Sequence, residues 1–209
     1  MELVELKPIC GGTKFAAVLS DGSSVRVSTA LIADLSLYSG KEMSEEDCEQ
    51  LRAASSFHSC KERALRIIGM RPMSCKEIFD RLVQKGETAE DAAACVEWLL
   101  NIHYLDDEQY ASTLVRHYSA KGYGKQRVKN ELYRRGISKA LWDEALCEMP
   151  EMDDTVYELL CKKLKSDDPD RAELKRATDS LFRRGFAWDE IKTAVNRFKA
   201  ENEENDYVE

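Results

Sequence analysis

Arg127-Val128-Lys129-Asn130-Glu131-Leu132-Tyr133-Arg134-Arg135-Gly136 is the phrase that decides the fold. Val128 and Leu132 share one face of a helix, Arg127, Lys129, Arg134 and Arg135 point away from it, and Gly136 stops it. Ile78 to Gly86 reads I-F-D-R-L-V-Q-K-G and Ala177 to Gly185 reads A-T-D-S-L-F-R-R-G. The three glycines, Gly86, Gly136 and Gly185, are spaced 50 and then 49 residues apart. One module is therefore used three times, and its period is that of a helical repeat array.

Working outward, each phrase is the middle of three helices. In module two, Asp106-Asp107 opens a helix with Tyr110, Ala111, Leu114, Val115 and Tyr118 on its apolar side. Lys121 to Gly124 is the turn, and after Gly136 Ser138 caps a helix burying Leu141, Trp142, Ala145 and Leu146. In module one Ser59-x-x-Glu62 and Ser74-x-x-Glu77 read as capping boxes and Thr88 as a third cap, with Trp98 packed on a neighbouring helix. In module three Asp153-Asp154 restarts the pattern, Ser166 to Asp170 makes the turn, and Phe186, Trp188, Ile191, Ala194, Val195 and Phe198 close it.

The first 28 residues read differently. Lys14–Leu19 and Ser24–Val27 flank Asp21-Gly22, which predicts a hairpin with a type I′ turn, and Leu3–Leu6 adds a third strand. Gly11-Gly12 lacks the rest of a phosphate-binding loop and is a simple loop. Thr29–Tyr38 is a short helix closed by Gly40, and Ser44 caps another that runs to about Ala54. The expected architecture is mainly α: an elongated, gently curved array of three tandem three-helix modules with a small N-terminal β-hairpin region. Its parts are residues 1–56, module one at 57–105, module two at 106–150, module three at 151–199, and a disordered acidic tail at 200–209.

Composition bounds the function. Seven cysteines without a C-x-x-C pair, and three histidines placed apart from them, favour reduced thiols in a cytoplasmic protein over disulfides or structural zinc. No run suggests a signal peptide or a membrane span. His58, His103 and His117 are scattered, and the paired acids sit at helix starts where the macrodipole accounts for them, so neither catalysis nor a cofactor or metal site is expected. The net charge is −8, yet Arg116 to Lys139 holds eight basic residues and one acid, Glu131. Such asymmetry points module two at a polyanionic or acidic partner. The candidate contacts are Lys121, Lys125, Arg127, Lys129, Arg134 and Arg135.

The module phrase resembles the RecX family of bacterial regulatory proteins. The resemblance is carried by Ala64–Gly86, by L-D-D-E-Q-Y-A at Leu105–Ala111 and by Y-G-K-Q-R-V-K-N-E-L-Y-R-R-G-I at Tyr123–Ile137, with Leu37–Asp47 like the extension of longer members. It implies a protein that binds RecA, lodges in the groove of RecA filaments on single-stranded DNA, and restrains filament growth, strand exchange and ATP hydrolysis; a non-catalytic monomer is expected. A weak direct DNA contact is part of the same expectation. Module three departs most, being acidic at Ser166–Pro169 where module two carries Lys121–Lys125. The competing reading is a stand-alone DNA-binding protein, since three-helix units with a tight turn resemble helix-turn-helix geometry; the net negative charge speaks against it.

Overall fold

The computed structural model describes residues 1–9, 11, 13–166 and 169–206, the last four by their backbone alone. The expectations placed on Cys10, Gly12, Asp167-Asp168 and the tail beyond Asp206 lie outside the described residues. The chain divides into two compact units, Met1–Pro72 with Ile78–Tyr104, and Met73–Glu77 with Leu105–Glu209.

Unit one opens with an antiparallel sheet of four strands: β1 (Glu2–Ile9), β2 (Lys14–Leu19), β3 (Ser24–Ser28) and β4 (Lys41–Glu42), in the order β3-β2-β1-β4. The third strand foreseen at Leu3–Leu6 is part of β1, and β4 is an addition no alternation in the sequence signals. The hairpin turn is not type I′. The Asp21 carboxylate accepts from the Ser23 amide at 2.9 Å and from its hydroxyl at 2.6 Å, an Asx turn that leaves only Gly22 at positive φ, +82°. Gly22 donates back to the Leu19 carbonyl, which makes a type I turn followed by a left-handed glycine.

Two helix expectations are corrected. Helix α1 (Thr29–Asp34) ends before Gly40 because Ser36 takes φ +47°, and Leu37 then donates to the Ile32 carbonyl and is buried under the sheet. Ser44 does cap a helix, with its full capping box, but α2 runs unbroken from Glu45 to Ile68. No glycine or proline interrupts that span, so the Ser59–Glu62 capping signal lies in mid-helix and Glu62 pairs with Lys14 instead. The first half of α2 buries Cys48 and Leu51 in the sheet's core; the second half buries Cys60 and Ala64.

Module one is completed by α3 (Cys75–Gln84) and α4 (Ala89–Asn101). The Ser74 box is real: its hydroxyl accepts from the Glu77 amide at 3.0 Å and Glu77 accepts from the Ser74 amide at 3.2 Å. Trp98 packs as foreseen, with the Lys61 ammonium of α2 between its ring and that of Phe57 at 4.6 and 4.3 Å. Unit two holds α5 (Asp107–Ala120), α6 (Lys125–Arg134), a 3₁₀ turn at Lys139–Leu141 leading into α7 (Trp142–Cys147), then α8 (Asp153–Cys161), α9 (Arg171–Arg183) and α10 (Trp188–Asp206). Each of its modules closes on its own apolar cluster, one around Val115, Val128 and Leu132, the other around Val156, Leu160, Leu181 and Ile191. Helix α10 passes Ala200, where the tail was expected to begin, because Arg197 binds both Asp154 (2.7 Å) and Glu201 (2.9 Å) and stacks over Tyr157.

Six described cysteines are free thiols. Burial, with Cys95 adding to it, pushes the Cys60 thiol up to about 12, and burial together with Asp107 does the same to Cys75. Since thiolate is the reactive form, iodoacetamide at pH 8 should label Cys147, which is exposed, well before Cys48, Cys60 or Cys95. Peptide mapping by mass spectrometry checks the order, and early labelling of Cys60 would contradict the packing of α2 on α4.

Candidate interaction surface

The basic surface is carried by α6, and α6 has an uncommon beginning. Its N-cap is Gly124, whose side chain can cap nothing. The exposed N–H groups are satisfied by the next module's glycine turn: Gly124 donates to the Arg184 carbonyl and Gln126 to the Gly185 carbonyl, both at 3.0 Å. The unpaired donors of one helix start thus meet the unpaired acceptors of another helix end. The backbones are so close that a Cβ on Gly124 would lie 2.3 Å from the Gly185 oxygen.

The same junction recurs one period earlier inside unit two. The Arg135 carbonyl accepts from the Ser74 hydroxyl, and Gly136 lies against Lys76, whose Cβ would be 2.7 Å from a Cβ placed there. Ser74 and Gly124 are 50 residues apart, and Arg135 and Arg184 are 49 apart. The glycine turn of each of these modules therefore docks on the start of the middle helix that precedes it by one repeat. This is the physical reason for the strict Gly at the end of the phrase: φ is +71° at Gly136 and +89° at Gly185, and the neighbours leave no room for a side chain.

The junction separates the two arginines of R-R-G. The second is a clamp. The Arg135 guanidinium donates to the Tyr110 hydroxyl at 2.6 Å and to Glu77 at 3.5 Å, and its side chain is only 20% exposed. Burial works against its charge, but the Tyr118 hydroxyl, then Tyr110 and Glu77, outweigh it, and its pKa lies above the ordinary arginine value. Arg184, at the equivalent position, donates to the Lys121 and Gly122 carbonyls and lies 5.6 Å from the centre of the Tyr123 ring. The expectation that Arg135 points away from the core thus fails, because a partner from the preceding repeat waits for it. The first arginine faces solvent: Arg134 is 69% exposed.

The remaining candidates divide by position. Lys121 ends α5 and Lys125 begins α6, both exposed, and Lys129 is half-buried one turn further on. Arg127 and Arg134 flank Glu131 at 3.4 and 2.6 Å, and that carboxylate is itself only 5% exposed. Glu131 anchors two of the six candidates, a role its lone acidic character in a basic window hinted at. The structure adds Tyr133, which the sequence reading passed over and which is 71% exposed in the middle of the outer face of α6. Phe182 and Trp188, expected to line the core of module three, are instead 63% and 61% exposed, Phe182 lying 49 residues on from Tyr133 on α9.

Among the described residues no helix is long and apolar enough to cross a membrane, and no group of three or more His, Cys, Asp or Glu is gathered as metal ligands. Fold and surface together define a tandem three-helix repeat protein with a small sheet at its N-terminus. Family models for the first, second and third three-helix domains of RecX match residues 60–99, 106–146 and 151–195. The regulatory protein RecX of Vibrio campbellii is 30% identical over 142 residues, 66% of this chain and 90% of that protein; that of Bacillus subtilis is 29% identical over 197 residues, 92% and 75% respectively. A crystal structure of regulatory protein RecX has the same fold, with a TM-score of 0.75 at 17% identity over 93% of this chain and 98% of that one. The RecX structure from Lactobacillus salivarius gives 0.64 at 21% identity, over 70% and 99%. The chain belongs to the RecX family of regulatory proteins.

Proposed function

We propose that this protein is a cytoplasmic, non-catalytic regulator that binds RecA and RecA filaments on single-stranded DNA and lowers recombinase and ATPase activity in DNA repair and recombination. The observation that carries the reading is the match of all three modules, in order, to the three RecX domains. RecA modulation is the general role of that family, and its members are regulators rather than enzymes in general. The exposed cations of α6 and the turn before it suit an acidic or polyanionic partner, and such contacts weaken as salt rises. In this reading the protein acts as a monomer with Lys121, Lys125, Arg127, Lys129 and Arg134 toward the filament, while Arg135 serves the junction that holds them in place.

The test is the rate of ATP hydrolysis by RecA on single-stranded DNA. Added protein should slow it, and Lys121→Glu with Lys125→Glu should need at least about tenfold more protein for the same effect, each reversed contact being worth of the order of 1 kcal/mol. Both side chains are exposed, so the circular dichroism spectrum should not change. Unchanged inhibition by the variant would remove this surface from the contact, and no inhibition by the wild type would overturn the reading as a whole.

A further inference from the structure

Modules two and three share more than a core. Aligned on their glycines, α6 and α9 place Val128 with Ala177, Leu132 with Leu181 and Ile137 with Phe186, the apolar positions each module needs. Three solvent positions also recur: Arg127 with Arg176, Tyr133 with Phe182, and Arg134 with Arg183. All six side chains are exposed, so core packing does not explain them. Module one has Glu77, Val83 and Gln84 there. The charge recurs as well, since Arg171 to Arg184 holds five basic residues against two acids, close to the five against one from Lys125 to Arg135. The acidic residues between Ser166 and Asp170 disguise this in the sequence.

At 100° per residue each ring sits near the middle of its helix's outer face, with the two arginines seven residues, or about two turns, apart along the edge beside it. In module two the buried Glu131 holds that edge. In module three its place is taken by Ser180, and among the described residues Arg176 and Arg183 have no ion-pair partner. On their own helices the rings have polar neighbours, Gln126, Lys129 and Asn130 beside one and Lys175, Thr178 and Asp179 beside the other.

We infer that Tyr133 with Arg127 and Arg134, and Phe182 with Arg176 and Arg183, are two copies of one contact site for single-stranded nucleic acid. A base brings its own flat face to a lone exposed ring, and its phosphates take the guanidinium groups alongside. A protein partner asks for something else, an anchor in a pocket ringed by groups that exclude water, which these polar surroundings do not supply. A duplex hides the base faces in its stack. The junction sets the spacing: Gly185, three residues after Phe182, lies against the start of α6, and Tyr133 lies near its end, so the two sites are about one helix length, on the order of 15 Å, apart. One short strand can reach both.

This inference does not depend on RecA, and it is tested without it. Fluorescence anisotropy of a labelled thymidine oligonucleotide at low salt should show binding by the full-length protein, weaker binding to an abasic strand of equal length, and weaker binding still to duplex. Tyr133→Ala and Phe182→Ala should each lower affinity for the thymidine strand about tenfold, the loss of one stacked base. The double variant should lose the preference for thymidine over abasic DNA, with its melting temperature unchanged. Equal binding of thymidine and abasic strands by the wild type, or full affinity in the double variant, overturns the proposal. So does a double variant that keeps its oligonucleotide affinity and loses affinity for RecA free of DNA, since the surface is then a protein contact. Failure to bind bare strand while RecA hydrolysis is still slowed overturns this site and leaves the RecA reading standing.

Discussion

Gly185→Ala should destabilise unit two by about 3 kcal/mol or more, lowering its melting temperature by roughly 10 °C or above. An alanine at φ +89° carries about 1 kcal/mol of backbone strain. Its Cβ would also stand 2.3 Å from the Arg127 amide nitrogen and 2.9 Å from that residue's Cα, and a backbone cannot swing aside as a lysine tip can. The junction must open, and the bonds from Gly124 and Gln126 to the Arg184 and Gly185 carbonyls open with it, at about 1 kcal/mol each. Gly124→Ala attacks the same contact from the other side, so the two substitutions should be far from additive. Gly86→Ala is the control. It has the same left-handed conformation, φ +94°, but nothing within 4 Å of the added carbon, so only the strain of about 1 kcal/mol should remain. Thermal unfolding and amide exchange at Gln126 measure both, and equal losses at Gly86 and Gly185 would mean that the turns do not dock.

Arg135→Glu should be the most damaging of the charge reversals, costing about 3–5 kcal/mol. Arg135 and Glu77 have side chains only 20% and 19% exposed, and the reversal sets two carboxylates facing each other beside Tyr110. Neighbouring carboxylates raise each other's pKa in the folded state. A group whose folded pKa is raised favours the fold below its unfolded pKa and loses that contribution as pH rises through the folded value. The variant's deficit should therefore be largest at neutral pH and shrink as pH falls toward about 4. Arg134→Gln, one residue away and 69% exposed, should change stability by less than about 1 kcal/mol, because Glu131 keeps Arg127. Urea denaturation at pH 7 and pH 4.5 separates the cases, and a mild, pH-independent effect of Arg135→Glu would refute the clamp. The result also decides how functional variants are read: loss of RecA inhibition in Arg135→Glu alone reports a broken junction, not a lost contact.

Much of this was legible in residues whose meaning is local. Caps at Ser44, Ser74 and Thr88 act within one turn, the 3.6-residue spacing of Val128 and Leu132 belongs to a single helix, and the spacing of the glycines is arithmetic. What was misread depended on partners remote in sequence. Ser59–Glu62 has the composition of a cap, but a cap forms only where a chain enters a helix, and α2 was already running. Asp21-Gly22 has the composition of a type I′ turn, but the Ser23 hydroxyl and amide draw the Asp21 side chain into another one. The outer face was read by charge alone, which kept Arg127 and Arg134 in view and left out Tyr133 and Phe182, because a sequence does not distinguish an exposed ring from a buried one.

The residues alone thus determined that this chain is a three-fold helical array behind a small sheet, that its middle module is basic, and that it belongs among regulators of the RecX kind. Tertiary structure alone decided how the repeats lock within unit two and which arginine does what. In Arg134-Arg135-Gly136 and Arg183-Arg184-Gly185 the two basic residues are interchangeable as letters. Only the arrival of another repeat's tyrosine, hydroxyl or carbonyl makes one a clamp and leaves its neighbour on the solvent-exposed face.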